Sequence, residues 1–230
     1  MVSFNGARGR GAVVAMVLTC AALSHVHAED PKLYDTGPGG DATFVRFLNA
    51  TELALEVRSS NKSSLSIPVA KPVTNYFPVS PKVRLKGALV QGGGQKDIDL
   101  AVKSGEFVTV VGTKVGAALS LTAVTENPDD FNALKSSLAF YNLDEQCKAS
   151  GLMASGRGVA IFSQVAPGTL QRRSINPVAL AVEANCSGQT GGLRLDLGTL
   201  EAGKRYSVFL MPGQGAASRR LIFAPDTIAH

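Results

Sequence analysis

The sequence predicts an all-β protein, two tandem small β-sandwich domains joined by a short linker helix. Three observations lead there. First, the chain repeats itself. Val69-Ala70-Lys71-Pro72 and Pro81 return as Val165-Ala166-Pro167 and Pro177, with an offset of 96 for both Val69→Val165 and Pro81→Pro177. Phe47-Leu48-Asn49 returns as Phe140-Tyr141-Asn142 after 93 residues, and Gly116-Ala117-Ala118 as Gly215-Ala216-Ala217 after 99. An offset that drifts upward in small steps is what a duplicated domain with short loop insertions leaves. A period this long is a whole domain, not a solenoid unit. Second, short apolar runs recur between Gly, Pro, Asn and Ser clusters, the pattern of a sandwich or barrel. Third, one segment between the repeats breaks that pattern and reads as helical.

Residues 1–28 read as a secretory signal. Arg8 and Arg10 precede the apolar run Ala12 to Leu23, and Val26-His27-Ala28 fits small-x-small cleavage. The run is short for crossing a bilayer; a retained signal anchor is the alternative. Cys20 lies inside the run and leaves with it. Residues 29–41, with Pro31, Gly37, Pro38, Gly39 and Gly40, form an extended N-terminal arm.

The N-terminal β-sandwich domain covers 42–126. Thr43 to Leu48 and Leu53 to Arg58 flank a turn at Asn49-Ala50-Thr51. Strands follow at Ser64 to Val69, Val73 to Val79, Val83 to Val90, Ile98 to Val102, Phe107 to Val111 and Leu119 to Thr125. Gly92-Gly93-Gly94 is a flexible hairpin connection; a phosphate cradle needs a Lys-Ser/Thr and a following helix. The linker, 127–137, has the marks of a helix start. Asn127 can cap, Pro128 suits the first helical position, and Asp129 and Asp130 favour the positive end of the dipole. Phe131 and Leu134 then share one face. An acidic loop is the alternative. The C-terminal β-sandwich domain, 138–230, repeats the pattern at Leu138 to Asn142, Val159 to Gln164, Thr169 to Arg173, Val178 to Ala184, Leu193 to Leu197, Tyr206 to Met211 and Arg220 to Ala224.

Charge and chemistry narrow the function classes. Losing 1–28 removes two arginines and no acid, so a net charge of +5 becomes +3. That mild, dispersed charge, with no basic block interleaved with aromatics, argues against nucleic-acid binding. The mature chain has no further apolar run long enough for a transmembrane segment. The three histidines are His25, His27 and His230. Two leave with the signal and the third ends the chain, so the usual general base is missing from any stable position. No His/Cys/carboxylate cluster has metal-ligand spacing. Asp97 and Asp99 alternate on a strand beside a Gly-rich turn and solvate one face rather than forming a glycosidase pair. The expectation is therefore no catalytic residue, no metal and no cofactor. Cys147 and Cys186 remain in an exported chain, which permits one disulfide; two separate thiols are the alternative. Arg172-Arg173, Lys204-Arg205 and Arg219-Arg220 are the candidate contacts, since arginine suits carboxylate recognition and protein interfaces. The absence of Trp and the scarcity of Tyr weigh against a dedicated sugar-stacking module.

The segment Leu33-Tyr34-Asp35-Thr36-Gly37-Pro38-Gly39-Gly40-Asp41-Ala42-Thr43-Phe44-Val45-Arg46-Phe47-Leu48-Asn49-Ala50 resembles the mature opening of the AlgF family, periplasmic accessory proteins of alginate O-acetylation. The matching features are a Leu-Tyr pair, a Pro-containing spacer, then Phe-Val-Arg and Asn-Ala on the first strand. The resemblance implies a periplasmic, non-catalytic adaptor required for O-acetylation of a secreted exopolysaccharide. It would bridge a membrane-bound O-acyltransferase and a periplasmic SGNH-type acetyltransferase. Adaptors of cellulose O-acetylation are similar, so the polymer stays open. The arginines leave a third reading, a periplasmic module binding an anionic polysaccharide.

Overall fold

The computed structural model describes residues 42–80, 84–128, 131–186, 192–213 and 218–229. The signal segment, the arm, all three histidines, Asp129, Asp130 and the repeated Gly215-Ala216-Ala217 lie outside them. Eight strands make the first repeat: β1 (Thr43–Asn49), β2 (Leu55–Ser59), β3 (Ser64–Ile67), β4 (Phe77–Val79), β5 (Leu85–Gln91), β6 (Gly94–Leu100), β7 (Phe107–Val115) and β8 (Ala118–Glu126). The second repeat holds β9 (Ser136–Asn142), β10 (Ser150–Ala154), β11 (Val159–Val165), β12 (Thr169–Ile175), β13 (Val178–Cys186), β14 (Leu193–Leu200), β15 (Arg205–Met211) and β16 (Arg220–Pro225).

The repeat is exact at the level of topology. The first half has sheets ordered β4-β1-β7-β8 and β3-β2-β5-β6; the second has β12-β9-β15-β16 and β11-β10-β13-β14. Each order becomes the other when every strand number shifts by eight. Even the one parallel pairing recurs, β1 with β7 and β9 with β15. At residue level one part of the predicted alignment changes. Asn49 donates to Ile67 O, and its counterpart Asn142 to Val165 O, so Val165 matches Ile67 rather than Val69.

Each half is a sandwich. In the first, Val45, Phe47, Val108 and Val110 meet Leu55, Val57, Ile67 and Leu89 of the facing sheet. In the second, Leu138, Phe140, Val208 and Leu210 meet Leu152, Val182 and Leu200. Side chains alternate across a strand, so the remaining positions of β1, β7, β9 and β15 point away from these cores. They are not solvated. Leu48, Val111 and Val124 of the first half bury themselves against Tyr141, Phe209, Met211 and Ala224 of the second. Sheets β4-β1-β7-β8 and β12-β9-β15-β16 therefore pack back to back, giving four layers with a core between each adjacent pair, and Phe44, Tyr76 and Phe107 form a smaller cluster with Ile228. The described residues accordingly fall in one compact unit. Every residue of β1 and of β9 is buried. Two-faced burial explains why their sequences read as apolar runs with little alternation.

The linker helix is a correction. Among the described residues there is no α-helix, and 131–135 form a turn. Asn132 directs it, accepting from Leu134 N through its side chain and from Lys135 N through its carbonyl. Phe131 and Leu134 are 45% and 79% exposed. With no core to receive that face, a stretch this short cannot offset the cost of helix nucleation. The sequence also passed over β10. Its residues Ser150-Gly151-Leu152-Met153-Ala154 are small or flexible and carry no strong β signal. The Gly92-Gly93 hairpin stands as expected, with both glycines at positive φ, 54° and 82°.

Candidate functional site

Alternation places one arginine, Arg46, on the inward-sealed face of β1, between the two halves. Its side chain is 1% exposed. An isolated buried cation costs several kcal/mol in lost hydration, so its donors need partners, and they have them. Nε donates to Thr109 Oγ1 at 2.9 Å, and Nη1 to Asp226 Oδ1 at 2.7 Å. Nη2 donates to Tyr141 Oη at 3.1 Å and Ser207 Oγ at 2.9 Å. The rings of Tyr76, Phe209 and Tyr141 lie 4.4, 4.9 and 5.3 Å from the guanidinium carbon, within cation–π range.

Asp226 follows the last strand, on the tail that crosses back to the first half. Tyr76 N donates to Thr227 O, and Ala229 N to Tyr76 O. The Asp226 side chain is 1% exposed, and its second oxygen accepts from Arg172 Nη2 at 2.7 Å. Burial alone would raise this carboxyl. The charges of Arg46 and Arg172 and the hydroxyl of Ser207 outweigh burial and hold it at about 2. Arg172 also grips Glu126 with Nε and Nη2, and Arg205 Nη2 adds a bond to Glu126 at 3.2 Å. The network thus joins Glu126 at the end of β8, Arg46 on β1, and Arg172, Arg205 and Asp226 of the second half. Burial, then the neighbouring Arg172 charge, press Arg205 below the ordinary guanidinium range. Its guanidinium lies between Phe107 and Phe131, at 5.4 and 5.1 Å.

The six predicted contact residues scatter. Arg172 and Arg205 turn inward into this network. With Arg173, they line a cleft of about 640 Å³ on the rim of the seam. Arg173 Nη1 donates to Ile161 O at 2.8 Å, and Gln171 Nε2 to Ser163 O at 3.2 Å. Both side chains thereby cap carbonyls of the sheet-edge strand β11, a guard against edge-to-edge pairing. Arg219 pairs with Asp144 within the second half. Arg220 lines a second cleft, of about 870 Å³, with Thr51, Gln91 and Lys114. Lys204 stands exposed on the turn before β15. Cys147 and Cys186 form a disulfide, with Cα atoms 5.5 Å apart.

At the opposite end of the seam from Glu126, a third cleft of about 310 Å³ lies beside the large one. The two are related by the repeat. The large one is walled by the loop after β1, at Ala50-Thr51-Glu52, and the small one by the loop after β9, at Leu143-Asp144-Glu145. Leu53 and Val115 stand on their walls and are 57% and 70% exposed. Among the described residues no cluster of His, Cys, Asp or Glu could hold a metal ion.

Sequence reasoning missed Arg46, Glu126 and Asp226 as a set. The signals were present. Arg46 interrupts an apolar run that otherwise reads as buried, and Glu126 and Asp226 stand 100 residues apart at the ends of equivalent strands.

No protein-family profile matches the chain, and no curated protein matches it. Among solved structures, a candidate cell adhesion protein from Bacteroides ovatus aligns at 10% identity and a TM-score of 0.27. The alignment covers 82% of this chain and 98% of that one. A carbohydrate-binding module of family CBM26 from Eubacterium rectale Amy13K, solved with maltoheptaose, aligns at 11% identity and a TM-score of 0.23, covering 79% and 96%. The fold is all-β, with paired four-stranded sheets and one intramolecular disulfide. No described helix is long and apolar enough to cross a membrane.

Proposed function

We propose that this chain is an exported, non-catalytic adaptor for O-acetylation of a secreted exopolysaccharide. It joins a membrane-bound O-acyltransferase to a periplasmic SGNH-type acetyltransferase. The likeness of Leu33 to Ala50 to the AlgF family supplies the process and the partners. The signal-like N-terminus and the disulfide fit an extracytoplasmic, periplasmic setting. The observation that carries the adaptor reading is the pair of related clefts with Leu53 and Val115 exposed on their walls. Apolar side chains beside polar-rimmed concavities suit protein docking, and a body with no hinge at its seam can hold two partners at a fixed separation.

The test is co-purification. Leu53→Glu combined with Val115→Glu is expected to abolish capture of the acetyltransferase while leaving thermal unfolding within about 0.5 kcal/mol of the parent, as exposed substitutions usually do. Retained capture, or normal polymer acetylation after deletion of the gene, contradicts the reading. The cleft lined by Arg172, Arg173 and Arg205 favours a second reading, a module for an anionic polysaccharide. Salt-sensitive binding of polyuronate but not of neutral glucan separates the two. Whether the polymer is alginate or cellulose is decided by which one loses acetyl groups on deletion.

A further inference from the structure

The seam between the halves is built from matching positions of the two repeats. Registers fix the matches. Asn49 pairs with Gly112, and Asn142 with Leu210, so β7 and β15 align 98 residues apart while β1 and β9 align 93 apart. Leu48 then equals Tyr141, and Val111 equals Phe209; all four lie in the seam core. Ala50 equals Leu143, again both in that core. Phe107 faces Glu126, and Arg205 stands one step beyond the Tyr206–Pro225 pair, facing Asp226, so the two acids of the network are one position used twice. Thr109 equals Ser207, and both hydroxyls accept from Arg46.

The contacts are also reciprocal. Arg46 stands one step beyond the Val45–Phe77 pair, opposite Tyr76, while its counterpart Ala139 pairs with Arg172. Tyr76 and Arg172 are therefore equivalent. Glu126 of the first half reaches Arg172 of the second. Conversely, the tail at Asp226 and Thr227 of the second half reaches Tyr76 of the first. One patch meeting a second copy of itself, i with j and j with i, is an isologous interface.

We infer that this seam is a two-fold dimer interface folded into one chain and since locked to a single pairing, first half with second half. The lock has a steric part and an electrostatic part. The first half presents Leu48, Ala50 and Val111, where the second presents Tyr141, Leu143 and Phe209. At these three positions the first half is the smaller and the second the larger, so two first halves would leave voids there and two second halves would overfill them, while Arg46 against Ala139 and Val124 against Ala224 reverse the order. Arg172 pairs with Asp226 of its own half, whereas the acid Arg205 pairs with is Glu126 of the other half. A self-pair of second halves would bury four guanidiniums against two carboxylates, whereas the native pair buries three, Arg46, Arg172 and Arg205, against two, Asp226 and Glu126. Such a mismatch is the repulsive element that specificity needs. The surface each half offers therefore fits one partner, the other half of this chain.

The test uses the whole folded protein, with a protease recognition sequence replacing Asp129-Asp130 and the disulfide left oxidised. After cutting under native conditions, the halves are expected to stay together as a 1:1 complex in native mass spectrometry. After unfolding in denaturant and refolding, they are expected to regain that complex and to give neither homodimer. Separation of the halves on cutting, failure of the pair to reform, or a stable homodimer of either half overturns the inference.

Discussion

Arg46 shows how far one side chain can depend on its surroundings. It has four named acceptors and three rings, all supplied by residues distant in sequence. Removing one partner of such a buried pair strands the other, which costs roughly 3–5 kcal/mol. Asp226→Asn is therefore expected to destabilise the whole chain by that amount in urea unfolding, because Arg46 and Arg172 both lose their shared anion. Asp226 also sets an acid limit. Its carboxyl is held at about 2 in the folded chain, below its ordinary 3.8. The folded state thus binds the proton more weakly than the unfolded state. This contribution is present above about pH 4 and is lost as pH falls toward 2. Stability measured across that window should fall for the parent and fall less steeply for Asp226→Asn. At this scale the sequence was only half legible. Alternation put Arg46 on the face away from Val45 and Phe47, beside Phe44 and Leu48, but no local signal names the second sheet that covers that face.

The corner after the first strand of each repeat shows one element solved in two ways. Asn49 Nδ2 holds Leu53 O and Ile67 O at 2.8 and 2.9 Å, and Asn142 Nδ2 holds Cys147 O and Val165 O at 2.7 and 2.9 Å. Glu56 pairs with Val90, and Ser150 with Cys186, so Gln91 occupies the place of Cys186. Gln91 Nε2 ties the first corner to Leu53 O at 2.9 Å, where the second corner is tied by the Cys147–Cys186 disulfide. The covalent tie closes a loop of 39 residues and contributes about 4 kcal/mol in the chain-entropy account. Cys147→Ser with Cys186→Ser should lower stability by about that much. Gln91→Ala should cost about 1–3 kcal/mol, because Thr51 Oγ1 and Ala54 O lose a buried donor while Leu53 O keeps Asn49 Nδ2. Size is exchanged in the same way deeper in the core. A methyl group on Gly112 would come within 2.5 Å of Leu55, while the equivalent Leu210 faces a strand that begins with Ser150. The repeat and most strands were legible because turn residues and apolar runs are local signals. The linker was misread because its fate depended on a neighbour to bury Phe131 and Leu134, which no local pattern reports.

For the molecule as a whole, the consequence is stiffness. A tandem of separate sandwiches would hinge at 127–135. Here that segment spans two halves already fused by a third hydrophobic core and a buried charge network. The sequence carried a trace of this in Phe44 to Leu48, Leu138 to Tyr141 and Tyr206 to Met211, where almost every residue is apolar rather than every second one. Stiffness is also what the adaptor reading requires, since partners held on a flexible pair of beads would have no fixed spacing. The most direct measurement is a distance distribution between spin labels at Ser66 and Asp196, exposed positions on the outer sheet of each half. One narrow peak, unchanged by viscosity or salt, is the predicted result. A broad distribution, or two populations, would show halves that move independently and would contradict the fused seam.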